Sequence, residues 1–340
     1  MDKRVSCVTF TILTESPVPL SYDQGAGNYN EIKKYHYGNE VYAKTGVSTI
    51  TYEMRKQLHK NNNWVLSDIV LNKDKKKRVK NVYPTLESYE SANEKGLEAD
   101  VFGYLVPSKQ LSKTSPLRII PFKSVHPYRN DVQLITNRGF LDRDLDRKYF
   151  KNDEKSEEAD IPKTQALANE EIFGGYYTWT ITIELDRLGV LEVKNGKYLL
   201  PDEREYFSKE IREEVLKDIL DVVTKLTRDI RHEKVLLKPL VVFGGAFKNT
   251  IPYFWNDIIL DNENRLDISN PFNTIYSYDL NDEMYIVAVD NRLKLKEDDL
   301  NKKPTSRFPV QEIKKLGEIL YVGEDNCWYV SEERASKNED

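Results

Sequence analysis
From Thr178 to Leu185 the chain alternates without a break. Trp179, Ile181, Ile183 and Leu185 take every second place, and Thr178, Thr180 and Thr182 stand between them. A period of two is that of a strand with one apolar and one polar face. Near the start, Val8, Phe10 and Ile12 alternate with Thr9 and Thr11 in the same way. The two threonine faces match, and threonine suits a strand face that meets water or a polar ligand.

Helical periods follow each strand. "STITYEMRKQLHKN" sets Ile50, Met54 and Leu58 on one side, with Ser48 or Thr49 as the cap and Glu53 near the first turn. "PDEREYFSKEIREEVLKDILDVVTKLTRDIR" spaces Ile211, Val215, Ile219, Val222, Leu226 and Ile230 as a helix, acidic at its start and basic at its end. Residues 61–110, with the charge run "NKDKKKRVK", read as an insertion. "SPLRIIPFKSVHPY" reads as extended. Residues 137–171, including "DRDLDRKYFKNDEKSEEADIPKTQ", lack a core face and read as a flexible or functional loop. Two β–α units with a sheet able to pair antiparallel predict an α+β fold of the ferredoxin or RRM type.

The chain has 340 residues, more than one core usually serves, so one domain with large insertions or two domains are expected. With 39% hydrophobic and 31% charged residues it is a polar but foldable chain. A formal net charge of -5 argues against indiscriminate nucleic-acid binding but leaves room for a local basic stripe. Two distant cysteines, Cys7 and Cys327, fit reduced thiols rather than a disulfide framework. The opening "MDKRVSCVTFTILTESP" is unlike a signal peptide, and no apolar run approaches membrane-spanning length, so a cytoplasmic protein is expected.

Catalytic patterns are weak. In "LVVFGGAFKNT" the glycines are adjacent and Lys248 precedes Asn249, so the spacing of a phosphate loop fails. Gly244 and Gly245 then mark a turn, a bulge or a close backbone approach. His36, His59, His126 and His232 show no metal-ligand spacing, and neither a metal nor a cofactor is expected. Asp100, Asp131 and Asp257 stand beside apolar residues, as general bases or, more commonly, as turn and cap residues. "VFGYLV" echoes an RRM signature faintly and reads as core. The segment "GNYNEIKKYHYGN" mixes lysines with tyrosines, which suits a single-stranded nucleic acid, and equally a polar loop with core tyrosines.

In order, "GNYNEIKKYHYG", "VSTITYEMRKQL", "DVFGYLV", "SPLRIIPFKSVHPY", "YYTWTITIELDRLGVLE" and "KPLVVFGGAFKNTIPYFWN" resemble the CRISPR-associated DevR-type family. That family is the Cas-seven, crRNA-binding backbone of type I-B Cascade, within the RAMP superfamily. The resemblance covers roughly residues 3–290. It implies an RRM-like (ferredoxin-like) palm from 1–60, 111–136 and 172–330, a helical finger insertion at 61–110, an extended β-hairpin thumb at 137–171 and a frayed tail at 331–340. It implies a non-catalytic scaffold whose partners are crRNA, target DNA through the guide, further copies of itself and other Cascade subunits, with no membrane.

The resemblance carries RNA contact onto Asn28, Asn30 and Lys33, onto Ser48, Thr49, Arg55 and Lys56, and onto a glycine-rich loop of Gly244, Gly245, Phe247 and Lys248. In the thumb it points to Arg138, Phe140, Leu141 and Arg143. Two alternatives stay open. One is a metal-dependent ribonuclease, like type III backbones, with Asp23 as the first catalytic candidate. The other is an RNA-free regulatory protein.

Overall fold
The computed structural model describes residues 2–23, 28–73, 77–85, 97–136, 167–296 and 302–331. The two alternating runs are neighbours in a five-stranded sheet. Its strands are β1 (Cys7–Ser16), β2 (Leu117–Ser124), β3 (Gly175–Glu184), β4 (Val241–Phe247) and β5 (Met284–Val289). Their order is β2-β3-β1-β4-β5, with every adjacent pair antiparallel. The helices are α1 (Val47–Asn61), α2 (Leu97–Phe102), α3 (Lys209–Lys225), α4 (Ser269–Ser277) and α5 (Pro309–Ile319). The protein is therefore a mixed α/β fold.

One face of the sheet carries α1, α3 and α5, while α4 packs on the other. Val8, Phe10 and Ile12 of β1 lie opposite Ile183, Ile181 and Trp179 of β3. They join Ile50, Met54 and Leu58 of α1 and Val215, Ile219 and Val222 of α3 in one buried cluster. The helical period read from the sequence is thus the period of burial. Ser208 caps α3, its hydroxyl accepting from the Ile211 N–H at 3.3 Å. The N-cap of α1 is Gly46, which has no side-chain cap, and Ser48 and Thr49 fall inside the first turn.

The other face corrects the reading of the threonines. Thr9 pairs with Thr182 at 2.7 Å and Thr11 with Thr180 at 2.9 Å, hydroxyl to hydroxyl, and all four are buried. They satisfy one another across the strands rather than facing water. Beside them, Phe243 and Phe247 of β4 and Val287 of β5 pack under Phe254, Ile258, Leu266, Ile268 and Ile275 in a second cluster. The chain from about 254 to 275 therefore roofs this side of the sheet.

Three further expectations change. The helix α3 stops at Lys225, and Thr227–Ile230 turns back to pair with Glu233–Leu236. Leu226 and Ile230 still reach buried positions, so the apolar spacing continues past the end of the helix. The insertion is less helical than expected. Its described part holds the six-residue α2 and two hairpins, Ile69–Lys73 with Val79–Pro84 and Tyr104–Val106 with Leu111–Lys113.

The glycine pair is no loop. Gly244 and Gly245 lie in mid-strand on β4, opposite Phe10 and Thr9 of β1. A Cβ on Gly244 would clash with the Thr9 carbonyl oxygen, and one on Gly245, at φ +150, with that of Met284.

Val132–Thr136, in the expected palm, pairs antiparallel with Leu167–Glu171, the last residues of the expected thumb. Arg138, Phe140, Leu141 and Arg143 lie outside the described residues, as do residues 332–340 of the tail. At the other pole Lys3–Val5 pairs with Trp328–Val330, which pairs with Leu320–Val322.

Since no rotamer relieves a clash with backbone, Gly245→Ala is expected to lose at least about 1–3 kcal/mol through strand displacement. Urea unfolding of the variant checks this, and an unchanged midpoint would contradict the close approach.

Candidate nucleic-acid interface
The mixed lysine and tyrosine segment folds as a hairpin, Lys34–Tyr37 against Glu40–Ala43, with Gly38 at φ 60 in the turn. Tyr35 and Tyr37 share a face by the strand period, and Tyr42, directly opposite Tyr35, joins them. The Tyr35 and Tyr42 rings are 5.8 Å apart. At the end of the hairpin Lys44 bridges to Lys123 of β2. The Lys44 ammonium stands 5.4 Å from the centre of the Tyr35 ring, and Lys123 stands 5.7 Å from Tyr42 and 5.8 Å from Tyr37. These distances fit cation–π contact.

With Trp255 these residues line a groove of about 700 Å³. Tyr37 is 69% exposed and Trp255 54%, so two rings offer free faces. Burial, together with Tyr42 and Tyr37 nearby, pushes the Tyr35 phenol up, which keeps it protonated.

A buried carboxylate fixes the start of this segment to the strand Leu167–Glu171. Glu171 accepts from Lys34 Nζ at 2.7 Å, from the Ile32 N–H at 2.8 Å and from the Tyr29 hydroxyl at 3.2 Å. Burial pushes its carboxyl up, but Lys34 and the Ile32 N–H outweigh that and hold it below the usual range. Its neighbour Glu170 accepts from Arg231 Nε at 2.7 Å. Tyr29 and Asn30 pair in parallel with Asn169 and Glu170, completing the junction.

The residues expected to meet RNA separate into groups. Asn28, Asn30 and Lys33 lie beside the Glu171 junction, with Asn28 exposed and Lys33 paired to Asp23 at 2.8 Å. That ion pair also engages the carboxylate considered for catalysis. On α1, Ser48 is exposed and Thr49 half-buried. Arg55 pairs with Glu98 at 3.0 Å and lies 4.2 Å from the centre of the Phe102 ring, and Lys56 pairs with Asp229 at 2.6 Å. Gly244, Gly245 and Phe247 are buried in β4, which leaves Lys248 as the exposed member of that motif.

Tyr42, Lys44, Lys123 and Trp255 were not foreseen. The Gly-Asn turn in "YHYGNEVYA" is the signal that would have brought Tyr42 and Lys44 into view.

The other carboxylate candidates hold structure. Asp100 is buried, pairs with Lys113 and accepts from the Gly189 N–H at 2.7 Å. Asp131 accepts from the Val132 N–H at 2.9 Å. Burial pushes Asp257 up, against a hydrogen bond from Thr274. Among the described residues no group of three or more His, Cys, Asp or Glu is placed to hold a metal. No helix among them is long and apolar enough to cross a membrane.

A fold of this kind occurs among subunits of RNA-guided assemblies. A chain of the solved "CRISPR RNA-guided surveillance complex, pre-nicking" superposes with a TM-score of 0.53 at 11% identity, covering 86% of this chain and 94% of that one. A chain of another "CRISPR RNA-guided surveillance complex" reaches 0.49 at 11% identity, covering 85% and 91%. No curated protein sequence matches. The sequence profile of the family described as "CRISPR-associated negative auto-regulator DevR/Csa2" matches residues 8–248, and the chain belongs to that family.

The folded-state pKa of Glu171 lies below its unfolded value of about 4.3. The stability it contributes is therefore complete above that value and is lost as pH falls through the folded pKa. Glu171→Gln, which leaves Lys34 without its counter-charge, is expected to cost roughly 1–3 kcal/mol. It should also flatten the acid limb of a melting-temperature profile. An acid limb identical to wild type would contradict the role given to Glu171.

Proposed function
We propose that this protein is a non-catalytic, crRNA-binding backbone subunit of a type I CRISPR Cascade complex, of type I-B, working in the cytoplasm. Copies line up along the guide RNA and hold its backbone, and base pairing by the guide selects the target DNA. Other Cascade subunits complete the assembly.

The observation that carries this reading is the groove where Lys44 and Lys123 stand against tyrosine rings, on a chain of the DevR/Csa2 family. Cations set among aromatic faces suit single-stranded RNA, which offers both phosphates and unstacked bases. The net charge of -5 is no obstacle, because such a groove acts within a Debye length.

In this reading the sheet order β2-β3-β1-β4, with helices α1 and α3 in the crossovers, is the RRM-like palm. The pair Val132–Thr136 and Leu167–Glu171 is the base of the thumb. Asn28, Asn30, Lys33 and Lys248 contact RNA outside the groove. Arg55 and Lys56 reach phosphate only by exchanging their present carboxylate partners.

The protein, expressed with a CRISPR array and its processing subunits, should purify with nucleic acid of uniform length, read from the 260/280 nm absorbance ratio and by sequencing. A nucleic-acid-free monomer that ignores added guide RNA would overturn the proposal. Lys248→Ala is expected to weaken binding to all sequences alike and to lower the slope of log affinity against log salt by about 1. A change in sequence preference alone would count against a backbone contact there.

A further inference from the structure
We propose that the groove between the Lys34–Ala43 hairpin, β2 and Trp255 stacks unpaired nucleobases of single-stranded RNA, with Lys44 and Lys123 meeting the flanking phosphates. This rests on the RNA-binding reading above and adds base contact to it.

RRM proteins stack bases on aromatic residues of the open sheet face. Here the corresponding positions on the two central strands carry Thr9, Thr11, Thr180 and Thr182, which are buried. Their hydroxyls are used on one another, and the neighbouring strands lie under the roof of the second cluster. The sheet surface therefore offers no platform. The rings lie at its β2 edge instead, where Tyr37 and Trp255 are 69% and 54% exposed.

The volume, about 700 Å³, falls within the range of roughly 300–1,000 Å³ that small ligands occupy. It suits a few bases and excludes a duplex, whose base faces are covered by their own stacking.

The cations select the occupant. Lys44 and Lys123 stand over the Tyr35 and Tyr42 rings at 5.4 and 5.7 Å. Neither forms an ion pair with a carboxylate among the described residues. An apolar peptide in the groove would strip water from two ammonium groups and give them no counter-charge, which is costly. A nucleic-acid strand covers the rings with bases and supplies phosphates to the ammoniums in the same step. The two lysines come from β2 and from the end of the hairpin and face each other across a backbone bridge, so their spacing is fixed.

The test uses the full chain and two single-stranded ribose-phosphate probes of equal length, one carrying uracil bases and one abasic, with binding read by fluorescence anisotropy. Wild type should prefer the base-bearing probe. Trp255→Ala and Tyr37→Ala should each weaken that probe by about five-fold or more and leave the abasic probe unchanged. Tyr37→Phe, which keeps the ring, should bind as wild type. Lys44→Ala should weaken both probes.

If the two ring variants bind both probes as wild type does, stacking is overturned while the backbone role stands. If they bind RNA normally but fail to enter the assembled complex, the groove is a protein-docking surface and the inference fails. If wild type binds neither probe, the RNA-binding reading falls and the stacking site falls with it.

Discussion

The pairing of β1 with β3 over their full lengths, from Ser16 opposite Gly175 to Cys7 opposite Glu184, commits both faces of the sheet at once. Its period of two sends Val8, Phe10 and Ile12 towards the helices and Thr9 and Thr11 to the opposite side. A slip of one residue would put threonines among α1 and α3 and bring isoleucine and phenylalanine under the hydroxyls. The threonine pairs thus oppose a one-residue slip: their hydroxyls are buried and satisfied across the strands in the observed register. The position of β2, and through it of Lys123 and the aromatic groove, follows from that register.

Charged groups inside the molecule do comparable work at its joints. Asp100 and Lys113 are both fully enclosed, and between them they reach Gly189 and Val190. Arg212 is 0% exposed and donates to the carbonyls of Leu188, Leu185 and Asn326. Glu171 ties Lys34, Ile32 and Tyr29 to the strand Leu167–Glu171. Each places a satisfied ion where segments distant in sequence meet. Removing one member of the Asp100–Lys113 or Glu171–Lys34 pair would leave a charge without its partner, which costs more than the pair itself contributes.

How much could be read from the sequence depends on whether a residue's environment is local. Trp179, Ile181 and Ile183 announced a strand because alternation is local, and Ile211 to Val222 announced a helix for the same reason. Leu226 and Ile230 misled, since an apolar residue can reach the core from a hairpin as well as from a helix. Gly244 and Gly245 did mark a close backbone approach, but spacing cannot tell whose backbone approaches. It is that of the protein's own strands, at Thr9 and Met284. Arg55 and Lys56 read as free cations, yet their charges are taken by Glu98 and Asp229. In the groove, Tyr35 and Tyr37 stood in a segment already notable for its rings and charges. Lys123 and Trp255 reach it only through tertiary contact and left no pattern to find.

The central place of β1 has a temporal side. Thr9 waits for a partner 173 residues further along, and Cys7 aligns with Phe247. On a ribosome adding about 5–20 residues per second, the first strand spends on the order of ten to thirty seconds without its neighbour. During that interval it is an apolar ribbon with two open edges, able to pair with any other nascent chain. Every copy of the chain passes through this window. Shielding of this strand during synthesis therefore bears on the yield of folded protein as well as the stability of the finished sheet does.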